Sequence, residues 1–225
     1  VTNTTDGSSV TFDKTKPSVQ SVTMSTSNAN AAKAKVGDTI TLNITTNEDV
    51  QQPVVMIAGG AATVTQGADA RTWTATYTMK NSDTEGTIAF TVNFADVTGN
   101  AADPVSTLTG GSGVEFDKTA PSGTVSYRTT EPTKDSVTAT IAVEDGAVIT
   151  NNGGQPTYVF ESNGTFTFEL MDEAGNTGQV TATVANIDLT APTAPTVEIS
   201  SSNADSARAK VGDTITLHIA TNEDV

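Results

Sequence analysis

The chain contains no cysteine in 225 residues, so no disulfide can staple its domains. It has one histidine, His218, and with neither thiol nor His-bearing triad the usual machinery of nucleophilic hydrolysis is missing. Basic residues are few. Eleven Lys and Arg stand against 26 Asp and Glu, for a net charge of −15 and a pI near 4.1. They are spread singly and form no patch able to neutralise phosphates, which excludes nucleic acid as an expected partner and disfavours anionic lipid. No stretch approaches the roughly 18 consecutive apolar residues of a membrane-spanning helix, so direct membrane insertion is not expected. The one tryptophan, Trp73, lies in a strict polar/apolar alternation and is expected in a core, not stacked on a sugar.

What the chain does have is repetition. Residues 202–225 repeat residues 27–50 at a constant offset of 175, with five substitutions in 24 positions. A second echo, VTFDKTKPS at 10–18, returns as VEFDKTAPS at 114–122 and more faintly as NIDLTAPT at 186–193. Self-similarity of this kind marks modules strung end to end. Read between the tags, residues 1–13 are expected to be the C-terminal strand of a preceding long module, 14–117 a complete long module, 118–188 a complete short one, and 189–225 the first strands of another long module.

Period-two alternation runs through every readable stretch: Ile40, Leu42 and Ile44; Trp73, Ala75, Tyr77 and Met79; Ile88, Phe90, Val92 and Phe94; then Val137, Ala139 and Ile141, Phe166, Phe168 and Leu170, and Val180, Ala182 and Val184. These are half-buried antiparallel strands. Threonine fills the alternate positions, where its branched Cβ favours extended backbone without adding much apolar surface. Gly59-Gly60, Asn152-Gly153-Gly154 and Asn163-Gly164 punctuate the runs as turns. About seven strands in roughly 100 residues predict an all-β fold of tandem immunoglobulin-like Greek-key β-sandwiches.

The motifs F-D-K-T-x-P at 12–17 and 116–121, K-V-G-D-T-I-T-L at 35–42, W-T-A-T-Y-T-M at 73–79 and D-x-x-G-N at 96–100 and 172–176 together resemble the bacterial immunoglobulin-like (Big-type) tandem repeats of large cell-surface proteins, among them S-layer proteins and giant adhesins. The resemblance implies an extracellular location at the bacterial cell surface, a spacing or lattice-building role and, as in several members, calcium at domain junctions.

In a sandwich of this type the entering chain shares one end with the loop after the second strand and the loop before the last. That places Asp13 with Asn47, Glu48 and Asp49 and with Asp96 and Asn100; Asp117 with Glu144 and Asp145 and with Asp172, Glu173 and Asn176; and Asp188 with Asn222, Glu223 and Asp224. Gathered carboxylates repel one another, and a cation removes that penalty. Ca2+ is the expected ion, because it accepts six to eight hard oxygen ligands in irregular loops. The same residues also suit a plainer role, since Asp and Asn form turns by bonding their own backbone, with Gly99 and Gly175 supplying positive φ.

The expected function is therefore that of a structural segment, a spacer, stalk or lattice-building repeat, and not an enzyme. The alternative is an adhesive module that recognises a glycan or protein through its loops. Those loops are mostly Gly, Ser, Asn, Asp and Ala, whereas binding hot spots favour Trp, Tyr and Arg. Expected partners are neighbouring modules of the same or other copies, with any cell-wall or host-surface ligand elsewhere in the full-length protein. Because two strands cannot bury a face alone, Ile215, Leu217 and Ile219 are expected to be covered by strands of another molecule or by strands following Val225.

Overall fold

The computed structural model describes residues 10 and 12–223. The strand expected in 1–13 falls almost wholly outside these residues, as does Asp224. Among the described residues the fold is all-β, with a single 3-10 turn at Asn152–Gly154 and no α-helix. Among these residues no helix is long and apolar enough to cross a membrane.

Residues 19–116 carry the larger core. One antiparallel sheet has the strand order Val19–Thr26, Thr39–Thr46, Thr72–Thr78, Thr63–Gln66. Ile40, Leu42 and Ile44 point into the core from the second strand, while Thr39, Thr41, Asn43 and Thr45 line the other face. Trp73, Ala75 and Tyr77 do the same from the third. The indole N–H of Trp73 donates to the Ala70 carbonyl at 3.1 Å, so burying the ring leaves no unpaired donor. Val55 and Ile57 from Val54–Ile57 and Phe90 and Val92 from Phe90–Asn93 join the same core, these two strands being antiparallel neighbours.

A third small sheet completes this part of the molecule. Glu115–Phe116 pairs antiparallel with Gly86–Thr87 and parallel with Lys33–Ala34. That parallel pair departs from the purely antiparallel expectation. It arises because the last strand returns alongside the short strand that follows the first, and its effect is to set Phe116 in the core. The tag residue Phe116 is 1% exposed, whereas its counterpart Phe12 is 87% exposed.

Beyond the second tag, Gly123–Tyr127, Val137–Val143 and Thr157–Phe160 form one three-stranded sheet, and Val148–Ile149, Gly164–Met171 and Thr177–Val184 another. The chain falls into two compact units. The first takes the residues up to Ser126 with Thr140–Tyr158 and Phe166–Ala182; the second takes Tyr127–Ala139, Val159–Thr165 and the residues from Thr183 onward. Within the first unit Ile141, Phe168, Leu170 and Ala182 are buried in addition to the larger core, and within the second Val137, Ala139, Phe160, Val184 and Ile187 are.

Gly178, in the first unit, marks a close backbone approach. A Cβ there would fall on the Pro121 carbonyl oxygen, and backbone cannot swing aside as a long side chain can. Gly178→Ala is expected to destabilise by about 1–3 kcal/mol, the usual cost of overpacking, read as a lower urea midpoint with unchanged slope.

The segment 196–220 forms a two-stranded antiparallel ribbon, Thr196–Ser201 with Ile215–Ala220. Ile215, Leu217 and Ile219 are 52%, 55% and 53% exposed, against 0%, 0% and 1% for Ile40, Leu42 and Ile44. In the single chain this face is open.

Candidate metal centre

Each tag aspartate folds onto the backbone two residues on. Asp13 Oδ1 accepts from Thr15 N–H at 2.9 Å, Asp117 Oδ1 from Thr119 N–H at 2.9 Å, and Asp188 Oδ1 from Thr190 N–H at 2.8 Å. This local turn fixes where each carboxylate points. At the first of the three sets, one carboxylate oxygen from each of Asp13, Glu48 and Asp96 lies within 4.8 Å of the other two. No second trio of acids comes as close among the described residues.

Asp96 is buried and heavily bonded. Its Oδ1 accepts from the backbone N–H groups of Thr98, Gly99 and Asn100 at 2.8, 2.7 and 2.9 Å and from the Thr98 hydroxyl at 2.9 Å. Its Oδ2 accepts from the Asn100 amide at 2.7 Å. Burial pushes the carboxyl up, but the Asn100 side chain, the Asn100 and Gly99 N–H groups and the Thr98 hydroxyl outweigh it and bring the pKa down to about 2. Asp96 is thus a turn-former first: Oδ1 is saturated, and Oδ2 is the oxygen with spare capacity. Gly99, at φ 99°, supplies the left-handed residue that the turn needs.

The other expected residues of this set divide. Asn100 joins it by nitrogen, its amide reaching the Asp13 carbonyl at 3.3 Å. Asn47 ties the entering strand to the loop, its side-chain oxygen accepting from Ser18 N–H at 2.7 Å, and meets the set by nitrogen, its amide donating to Glu48 Oε1 at 3.4 Å. Asp49 pairs with Arg71 Nε at 3.0 Å. Three carboxylates and no nitrogen or sulfur acceptor form a hard-oxygen set, which suits calcium or magnesium over zinc or copper.

The second set is arranged differently. Asp117, Glu144, Asp145, Asp172 and Glu173 line one cavity of about 130 Å³ together with Lys33. Asp172 repeats the Asp96 turn in outline, with Oδ1 accepting from Asn176 N–H at 2.8 Å and Oδ2 from the Asn176 amide at 2.9 Å. The Asn176 amide also reaches the Asp117 carbonyl at 3.1 Å, as Asn100 reaches Asp13. Glu144 accepts from the Ser122 hydroxyl at 2.8 Å. In the third set the Asn222 oxygen accepts from Thr193 N–H at 2.6 Å, the same tie that Asn47 makes. Glu223 Oε1 is shielded from solvent with no hydrogen-bond partner among the described residues.

Sequence reasoning passed over the residues that grip these loops. Asn28 donates its amide to the Ala174 carbonyl at 2.8 Å, Asn30 to the Glu173 carbonyl at 3.3 Å, and Lys33 Nζ lies 2.8 Å from Glu115 and 3.8 Å from Glu173. The run S-N-A-N-A-A-K at 27–33 reads as a polar turn, and nothing in its spacing points to a distant acceptor. Compared with known proteins, the chain matches no family model and no curated protein.

Proposed function

We propose that the chain is a structural segment of a bacterial cell-surface protein, a spacer, stalk or lattice-building repeat made of tandem immunoglobulin-like modules at 14–117 and 118–188, with 189–225 beginning another. The observation that carries this reading is the second tag, which is bonded into place where a flexible linker would be loose. Asp117 N–H donates to the Ala34 carbonyl at 2.9 Å. Lys118 Nζ donates to the carbonyls of Asn81 and Asp83 at 2.9 and 2.8 Å, and Lys118 N–H and the Thr119 hydroxyl both donate to Glu85 Oε1, at 2.8 and 2.7 Å. The Thr119 hydroxyl and the Lys118 N–H hold the Glu85 carboxyl below its usual range. Pro121 then fixes φ at the start of the next segment. A joint tied by backbone acceptors and a proline resists bending, which is what a spacer requires.

Calcium fits the same reading. Asp13, Glu48 and Asp96 would hold it, with Asp96 contributing Oδ2 and water completing the shell. Bound there, the ion would neutralise clustered negative charge and tie the entering chain to two loops. Isothermal calorimetry is expected to show saturable calcium uptake that Glu48→Gln weakens; Glu48 is the variant of choice because Asp96 also builds its turn. Small-angle scattering of the whole chain should show a larger spread of dimensions in chelator than in calcium. An unchanged profile together with undiminished uptake by Glu48→Gln would refute the site. Saturable binding to a polysaccharide would replace the spacer reading with the adhesive one.

A further inference from the structure

We propose that Lys33 is the built-in cation of the acidic cavity beside the second tag, holding the 172–176 loop against the 28–38 loop with no metal ion. The proposal deepens the spacer reading, since it concerns the joint between the two segments taken as consecutive modules.

The first acidic set and the second use corresponding positions, yet they are built differently. At the first, Asp13, Glu48 and Asp96 approach within 4.8 Å, and among the described residues no ion pair reaches any of the three. At the second, Asp117, Glu144 and Asp172 are spread around a cavity, and an ammonium group lies among them. Lys33 arrives there because Lys33–Ala34 pairs in parallel with Glu115–Phe116, which sets Lys33 directly beside Glu115 and two residues from the tag aspartate. The Lys33 side chain is only 22% exposed, so it is committed to this position.

Its contacts join two loops far apart in sequence. Nζ bonds Glu115 at 2.8 Å on its own side and lies 3.8 Å from Glu173 on the other. The Asn28 and Asn30 amides grip the same loop through the Ala174 and Glu173 carbonyls. The bond to Glu115 raises the Lys33 pKa, burial opposes it, and the charges of Glu115, Glu173 and Asp117 reinforce it. A lysine so placed keeps its proton at neutral pH, where the carboxylates around it are charged. Among the described residues Lys33 is the one base that ion-pairs with Glu115 or Glu173, so without it both lose that partner.

The absence of native cysteine makes a clean test available. Spin labels at Thr65→Cys and Thr157→Cys, both exposed, report the distance between the two segments in the full chain. In wild type the distance distribution should be narrow and identical in calcium and in chelator. Lys33→Met, which keeps the apolar stem and removes the charge, should widen it about twofold, towards the independent motion expected of weakly joined domains. Lys33→Arg should restore the narrow distribution, which a purely steric role would not predict. Should Lys33→Met fail to fold by circular dichroism, Glu173→Gln removes the partner from the opposite side and is expected to widen the distribution in the same way. A narrow distribution in the folded charge-removed variant, or a wild type that widens in chelator, overturns the proposal. Failure of calcium uptake at Asp13, Glu48 and Asp96 would leave these distances untouched, so the two readings fail separately.

Discussion

Leu42→Ala is expected to destabilise the chain by about 2–5 kcal/mol, and Leu217→Ala by less than about 0.5 kcal/mol. The two leucines occupy the same place in the repeat: both sit in the run K-V-G-D-T-I-T-L. Leu42 is fully buried, paired with Ala75 on one side and Met24 on the other. Truncating it removes most of a buried side chain from water-free packing and leaves a cavity between sheets that cannot close over it. Leu217 lies opposite Ile199 on a ribbon whose face is open, so alanine there forfeits little. Trp73 sits in the core that Leu42 serves, and its fluorescence during urea unfolding reads the first value directly; circular dichroism of the whole chain reads the second. Equal costs at the two leucines would mean that the 215–219 face is covered in solution.

The pair also shows what the sequence could and could not tell. Alternation assigned Ile40, Leu42, Ile44, Trp73, Ala75 and Tyr77 to one face correctly, because a strand offers only two faces and a mixed Thr/apolar pattern admits one buried choice. The same alternation at 215–219 carries identical information, yet those residues are exposed. Burial needs a partner layer, and period two says nothing about one.

Turn chemistry is more local and therefore more legible. Asn28 donates to Asp38 Oδ2 at 2.6 Å and Lys35 N–H to the same oxygen at 2.8 Å; the counterparts Asn203 and Lys210 do so to Asp213 at 2.7 and 2.7 Å. Ser27 and Ser202 each accept from the following strand at 2.9 Å. These bonds form over a closed core in one copy and beside an open face in the other, so they depend on the turn alone. Both carboxyls are held below their usual range. For Asp38, burial pushes upward and the Lys35 N–H, the Asn28 amide and the Lys35 ammonium overcome it; for Asp213, the Asn203 amide and the Lys210 N–H act against weaker burial.

The acidic sets fall between these cases. That Asp13, Glu48 and Asp96 share one end is expected from an immunoglobulin-like arrangement, and the structure brings these three together. Which carboxylates meet does not follow from that arrangement, because it depends on competing neighbours: Arg71 draws off Asp49, Ser18 N–H engages Asn47, and Lys33 enters the second cavity. Each competitor lies more than 20 residues from the group it affects or arrives by the parallel pairing, and neither route leaves a mark in local spacing.

Acid titration of Asp96→Asn is the remaining large effect. The Asp96 carboxyl titrates near 3.8 in the unfolded chain and at about 2 in the folded one. Because the folded value is depressed, its contribution to stability is fully present above 3.8 and is lost as pH falls from there through 2. Asparagine keeps an acceptor for the turn N–H groups but loses the charge, and it sets its own amide against the Asn100 amide that now bonds Oδ2. At neutral pH the variant should therefore have a clearly lower urea midpoint than wild type. As pH falls the wild-type midpoint should drop towards that of the variant, the gap closing between 3.8 and 2. Other depressed carboxyls, Asp38 among them, titrate in both proteins and cancel in the difference. Carried out in chelator, the comparison isolates the turn from any cation. A gap that stays constant through this range would show that the five donors around Asp96 do not discriminate between its charged and neutral forms, and the assignment of Asp96 as a charge-holding turn-former would fall.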